Sequence, residues 1–349
     1  MVFISLCYQK RNTKNMKRFL ALLLASVAII AATHAQTVVD SELPSNKQFR
    51  KAVKTLMYKT NGHDITPKRM KAMELTQSVI NRFTPAEWRA YRSEKDETVV
   101  AKLESKGVPY FLRQAADKVC CEVRTTNVKE GTVAVWLLYN MSYVIKTPTL
   151  VFGIDICTKY ADELAEILDF AMITHNHRDH YDIAFLRAMN AKGKPVYAAF
   201  DVQGVVITKV VHEGEFTVGD VTIRTTIGDH NKNLRNFVTS YEIDCGAKTA
   251  NTVIYHTGDS KYYKQLNPKH KVDLFIPHMS VGLNIQKALD KIQPQHLLLS
   301  HHQELGHGIY KWRWTFHDAL KLKNKLTHDH IWIPCWGERV IYNRKDWKR

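Results

Sequence analysis

The chain has 349 residues, 45% hydrophobic and 24% charged, which is enough apolar mass for one large core plus an appendage and excludes a disordered polymer. Its formal charge of +16 suits anionic partners, but no basic–aromatic repeat or recognition-helix pattern accompanies it, so nucleic acid is not the expected ligand. No segment after residue 40 is apolar for long enough to span a bilayer.

Met16, Lys17 and Arg18 precede an apolar run from Phe19 to Ala32, and Thr33-His34-Ala35 follows with small residues at its first and last positions. A basic start, a short apolar stretch and a small-residue cleavage site predict a signal peptide over residues 16–35, with export to a periplasmic or secreted location. Residues 1–35 hold five Lys/Arg and no acid, so a mature chain from Gln36 keeps 45 basic against 34 acidic residues, or +11. Cys7 departs with the leader and five cysteines stay, none in CxxC spacing, which excludes a zinc ribbon. Cys157 and Cys245 read as small core residues at strand ends, and an oxidising compartment would permit one disulfide.

Residues 36–116 read as a helical extension. Phe49, Val53, Leu56 and Met57 repeat at helical spacing, while Thr66-Pro67 and Thr84-Pro85-Ala86-Glu87 are helix starts, the second a capping box. A lid over a substrate pocket is the sharper reading of this stretch. From about residue 117 the texture turns to short β-rich runs, VCCEVRTT, TVAVWLLYN, SYVIKT and TLVFGIDI. Strand and helix patterns then alternate. Helices are expected over 161–168, 182–189, 285–292 and 310–326, and strands over 171–174, 195–199, 221–227, 237–243, 252–255, 272–277, 296–300, 331–336 and 340–342. The pattern fits an α/β domain over 117–349 in which two packed sheets carry helices outside.

Directly after the strand at 171–174 come His175, His177, Asp179 and His180, an H-x-H-x-D-H string. Its spacing lets His175 and His177 face one point while Asp179 and His180 turn toward a neighbouring one. Imidazole and carboxylate ligands suit zinc best, with manganese or iron as alternatives. Three further candidates end predicted strands: His230 in IGDHN, Asp259 in YHTGDS and His301 in LLLSHHQ.

This set resembles the metallo-β-lactamase-fold hydrolases over about residues 117–349. The resemblance implies a four-layer αββα sandwich holding two divalent metal ions. The first would be held by His175, His177 and His230, the second by Asp179, His180 and His301, with Asp259 bridging. A histidine at 177, where flavodiiron proteins carry Glu, favours a hydrolase. The opening hairpin and the segment VDLFIPHMSVGLNIQKALDKIQPQHLLLSHHQ resemble the L-ascorbate-6-phosphate lactonase-like branch. That branch commonly has Pro-Met-His at the late site, whereas here Leu299-Ser300-His301-His302 stands, and the helical extension is additional. Asp155 resembles the family's acid that supports the histidine loop.

Such a centre would activate water as a metal-bridging hydroxide, with Asp179 orienting it and taking its proton, on a small-molecule ester, lactone or phosphoester. A phosphodiesterase acting on phospholipid or nucleic acid, and a non-catalytic metal-binding protein, are the competing readings. His278 could touch substrate or make a structural hydrogen bond. Asn140 begins an Asn-Met-Ser triplet, but its hairpin position argues against glycosylation. If residues 296–300 form a strand, its alternation directs only one of His301 and His302 at the metals. Alignment with the family's late histidine makes that His301, leaving His302 to point aside and line the pocket. The leader prediction is checked by mass spectrometry of the protein from its native host: a new N-terminus near Gln36 is expected, and an intact cytoplasmic N-terminus would refute export.

Overall fold

Polar caps and prolines set the first helices where the sequence places them. The computed structural model describes residues 43–309 and 311–344, so the expected leader over 16–35 lies outside the described residues. Helix α1 (Asn46–Tyr58) starts on a Ser45–Gln48 capping box. Helix α2 (Pro67–Arg82) is capped by Thr66 with proline in its first turn, and α3 (Pro85–Ser93) by the expected Thr84–Glu87 box. After α4 (Glu97–Glu104) comes α5 (Gly107–Thr125), which overturns one expectation: the β-rich string at 119–126 is helical. Ala116, Val119, Cys120 and Val123 lie on one buried helical face, and that packing overrides the strand preference of the β-branched residues. The helix runs across the 116/117 boundary drawn from sequence.

The remaining chain builds two seven-stranded sheets. In the first, β1 (Thr132–Tyr139), β2 (Ser142–Lys146) and β3 (Val151–Ile154) form a meander, continued in parallel by β4 (Phe170–Met172), β5 (Val196–Ala198) and β6 (Thr208–Lys209). Helices α6 (Ala161–Ile167) and α7 (Ile183–Ala191) are the crossovers. The second sheet runs antiparallel through β7 (Gly214–Val218), β8 (Val221–Gly228), β9 (Val238–Asp244) and β10 (Val253–His256). It then turns parallel through β11 (Leu274–Ile276), β12 (His296–Leu298) and β15 (Ile331–Trp332). Helices α8 (Ile285–Ile292) and α9 (Phe316–Lys323) belong to this half, and β13 (Gly308–Ile309) pairs with β14 (Trp312–Arg313) in a small ribbon. The last strand, β16 (Glu338–Asn343), returns to the first sheet beside β1. Residue 310 is not described, and the expected helix over 310–326 begins only at Phe316, because Thr315 and Asp318 form its capping box.

Alternation along β1 separates the layers. Val133, Val135, Leu137 and Tyr139 join the core shared with Tyr241, Ile254 and Ile276 of the second sheet. Ala134, Trp136 and Leu138 pack outward under α5, α6 and α7. The result is the four-layer αββα sandwich expected from sequence, with helices at its N-terminal end.

From Pro44 onward the chain is one compact unit. The first helices enter its main core through Phe49, Leu56, Met73, Ile80 and Phe111. They are also locked to the end of the chain by charge. Arg69, fully buried, donates to Glu338 at 2.6 Å and to the Ile333 carbonyl at 2.8 Å, while Lys118 donates to the Gly337 carbonyl at 2.8 Å. Gly337 has φ +77°, and a Cβ there would stand 2.9 Å from Ala115 Cα, so only glycine fits between α5 and the turn into β16. Removing one partner of a buried ion pair strands the other charge. Arg69→Ala is therefore expected to lower unfolding stability by about 3 kcal/mol in urea denaturation; a change within error would show the pair to be dispensable.

Candidate metal centre

Every candidate ligand lies just beyond the carboxyl end of a strand, where the two sheets meet. His175 to His180 follow β4, His230 follows β8, Asp259 follows β10 and His301 follows β12. Bonds between the sheets hold these loops in place. Tyr241 donates to the Ile173 carbonyl at 2.8 Å, and Thr239 N to the Thr174 carbonyl at 2.8 Å. Gly258, at φ +49°, lets the Asp259 turn approach the first histidine: a Cβ there would lie 2.7 Å from Thr174 Oγ1.

The histidine loop is organised by Asp155. Its buried carboxylate accepts from Thr174 N, Thr174 Oγ1 and His180 Nδ1, each at 2.8 Å. Because the Thr174 hydroxyl gives its proton to Asp155, it accepts from His175 Nδ1 at 2.9 Å. Both rings therefore keep their protons on Nδ1 and present Nε2 lone pairs to the centre. His175 Nε2 faces His177 Nδ1 at 3.0 Å and Asp259 Oδ2 at 3.8 Å. His230 Nε2 lies 3.4 Å from that same oxygen. On the other side His180 Nε2 is 3.2 Å from Asp259 Oδ1 and 3.5 Å from Asp179 Oδ2, and His301 Nε2 is 3.2 Å from Asp179 Oδ2.

The seven residues thus fall into two adjoining groups. His175, His177, His230 and Asp259 form one, and Asp179, His180 and His301 the other, with the candidate donor atoms of each within 4.8 Å of one another. His180 Nε2 and Asp259 Oδ1 are buried without a hydrogen-bond partner. Lone pairs facing lone pairs at these separations repel unless a cation or a proton lies between them, so the donor set fits divalent cations.

The electrostatics agree. Burial, with His230 beside it, pushes His177 down to about 4, and burial holds His175 well below its usual value. His180 goes the other way: burial opposes its charge, but Asp259, Asp179 and Asp155 outweigh that and raise it. His301 is raised in the same sense, against burial, by Asp259 and Asp179. Protons on His180 and His301 compete with cations, so metal affinity falls as the pH is lowered.

Asp259, His278 and His301 are also close enough to share an ion. The protons argue against His278 as a ligand. Its Nδ1 accepts from the main-chain N–H groups of Ser280 and Val281, both at 2.9 Å, which puts the proton of the neutral ring on Nε2, 3.9 Å from Asp259 Oδ2. His278 stacks on His301 with ring centroids 3.8 Å apart and presents a donor there. At His230 the Nδ1 contact is a single side-chain amide, Asn231 at 3.0 Å, which can turn away as a main-chain donor cannot.

Three positions differ from expectation or escaped it. The strand before the last ligand ends at Leu298, so alternation does not choose between His301 and His302. A left-handed backbone at His301, φ +63°, turns its ring toward Asp179 instead. His302 is buried against Phe316, and burial pushes it down to about 3. Asn140, read only as a glycosylation triplet, is buried at φ +49° in the β1–β2 turn. It donates to Asp179 Oδ2 at 3.3 Å and accepts from His301 N at 3.4 Å. An Asn at a two-residue hairpin turn marks the left-handed bend, but nothing in the sequence points it at Asp179.

No family model and no curated protein matches the chain. Among solved structures, it is similar to an isothiocyanate hydrolase from Delia radicum gut bacteria (17% identity, TM-score 0.47, covering 60% of this chain and 99% of that one). It is also similar to the metallo-β-lactamase-fold protein YhfI from Bacillus subtilis (16%, 0.46, 61% and 100%). A third is CmlA, a diiron β-hydroxylase from Streptomyces venezuelae (13%, 0.46, 62% and 55%).

Zinc titration of chelator-treated protein, followed by elemental analysis, is expected to give two ions per chain. His301→Ala should lose one of them, while His302→Ala and His278→Ala keep both. Loss from His302→Ala with retention in His301→Ala would move the second site by one residue, and loss from His278→Ala would make that residue a ligand.

Proposed function

We propose that the chain is an exported dinuclear metal-dependent hydrolase acting on an ester, lactone or phosphoester bond of a small molecule. The observation that supports this reading most is the pair of adjoining donor groups that Asp259 joins, a richer set than one structural ion needs. His175, His177 and His230 would hold one ion and Asp179, His180 and His301 the other, with Asp259 facing both. When bound, two divalent ions, zinc by the character of the donors, supply positive charge that polarises a substrate oxygen and lowers the pKa of water.

The chain's own groups do the rest. Asp155 and Thr174 keep the Nδ1 protons of His180 and His175 in place, so those rings do not reorient between turnovers. Burial resists a charge on Asp179, but His180 and His301 hold its carboxyl well below the usual range, so it stays ionised and able to orient water by accepting its hydrogen bond. Asn140 fixes that carboxylate from behind.

One feature favours substrates with an anionic group. A cavity of about 440 Å³ is lined by Asp229, Lys232, Arg235, Asn236, Tyr262 and Gln265, on and beside the loop that carries His230. Neither Lys232 nor Arg235 has a carboxylate partner among the described residues, which leaves two cations for a phosphate or carboxylate. This supports a phosphoester or a lactone acid over a neutral ester.

The test is a panel of esters, lactones, thioesters, phosphomonoesters and phosphodiesters, with and without chelator, on zinc-loaded protein. Chelator-sensitive turnover is expected. Asp179→Ala should lower it by about 100-fold or more, with circular dichroism and the melting transition nearly unchanged. Two bound ions with no turnover of any class would instead support a non-catalytic metal-binding protein.

A further inference from the structure

The loop after His301 contains a buried carboxylate that has no part in the centre described above. Glu304 is fully buried. Its Oε1 accepts from the Tyr139 hydroxyl at 3.3 Å and from Gly306 N, and its Oε2 from His307 N at 2.8 Å and His307 Nδ1 at 2.7 Å. The Tyr139 hydroxyl is committed as a donor, because it accepts from Leu305 N at 2.7 Å. Among the described residues, His307 is the one side chain able to carry a positive charge that hydrogen-bonds this carboxylate. The His307 side chain is 45% exposed, and with Nδ1 bound to Glu304 its Nε2 has no partner among the described residues.

Arg313 holds the pair within a loop whose two ends meet the centre. Arg313 donates from Nε to the His307 carbonyl at 2.8 Å and from Nη2 to the Leu305 carbonyl at 2.9 Å. Its Nη1 reaches back to the Ile80 and Phe83 carbonyls at the end of α2, at 2.9 and 2.7 Å. At one end of the loop is His301, and at the other Trp314, whose ring meets the His278 and His301 rings edge-on at 5.1 and 6.1 Å. The bond to Glu304 raises the His307 pKa against burial, and the Glu304 charge adds to the rise.

We propose that His307, oriented by Glu304, is the general acid that protonates the leaving group. The inference rests on the hydrolase reading above. Water oxygen bonds to the carbonyl carbon or phosphorus, and the bond to the leaving oxygen breaks with its electron pair. That oxygen takes the Nε2 proton of His307. The proton released by the attacking water restores the imidazolium through solvent, so one water cleaves one ester and the enzyme is unchanged. The competing account is structural: Glu304 only closes the turn through Gly306 N and His307 N, and His307 only offsets its charge.

The experiment compares two esters, p-nitrophenyl and alkyl, of the carboxylic or phosphoric acid whose esters the panel above shows to be cleaved, on zinc-loaded protein, since p-nitrophenolate departs without a proton and an alkoxide does not. His307→Gln is expected to lower kcat for the alkyl ester by about 100-fold and for the p-nitrophenyl ester by less than about 3-fold, with two ions retained. Nitrogen-15 NMR of histidine-labelled protein should show His307 titrating above its usual range, and nearer that range in Glu304→Gln. Equal losses on both esters, or a His307 titration indifferent to Glu304→Gln, overturn the inference while leaving the hydrolase reading intact. No turnover of any class in that panel by the unsubstituted protein, with both ions bound, counts against the hydrolase reading and removes the proton-donor role with it.

Discussion

The centre depends on one buried carboxylate. Asp155 sits at φ +52° just after β3, without exposure to water, and its carboxylate accepts three bonds, from Thr174 N, Thr174 Oγ1 and His180 Nδ1. An unpaired carboxylate there would carry a desolvation cost of several kcal/mol, so the loop is held in the one arrangement that satisfies it. In that arrangement the Nδ1 protons of His175 and His180 point away from the centre and the lone pairs point in. Ring orientation, proton placement and donor geometry share a single cause.

The centre also straddles two sheets, and its geometry depends on their register. Tyr241, Thr239 and the close approach of Gly258 to Thr174 tie the ends of β4, β9 and β10 together. Across the first-sheet turn, His256 Nε2 meets the Met141 carbonyl at 3.1 Å and Tyr143 meets Ser300 at 2.5 Å. A small slide of one sheet would separate Asp259 from His175 and His180. The sandwich core is therefore part of the site's precision as well as of its stability.

The first helices extend the same logic. They share the core with the sheets, and their polar contacts go to the late part of the chain: Arg69 to Ile333 and Glu338, Gln77 to Gln303, and the end of α2 to Arg313. On the other side Arg92 bonds to Asp182 and to the Arg178 carbonyl within the histidine motif loop. They brace the two loops that carry Asp179 and His301. A left-handed residue such as His301 costs of order 1 kcal/mol or more, and it persists only where the surroundings over-determine it.

Much of this was legible in the sequence because it is local. H-x-H-x-D-H after an apolar run, a Gly-Asp and two strand-end histidines carry their spacing with them, and the structure brings those seven side chains together. Thr-Pro starts and capping boxes placed α2 and α3 for the same reason: a cap and its partner lie three residues apart. Other features were not local. Val119–Thr126 reads as a strand by composition and is helical up to Thr125 because a sheet face receives its 3.6-residue stripe. Strand alternation would choose one of His301 and His302, but a left-handed turn makes the choice. Asn140 is silent in sequence because its role lies across a gap of 39 residues to Asp179. Residue chemistry and short-range spacing determined which side chains could hold metal. Only tertiary structure decided which atoms face one another and where their protons sit, because those depend on burial and on partners supplied by distant parts of the chain.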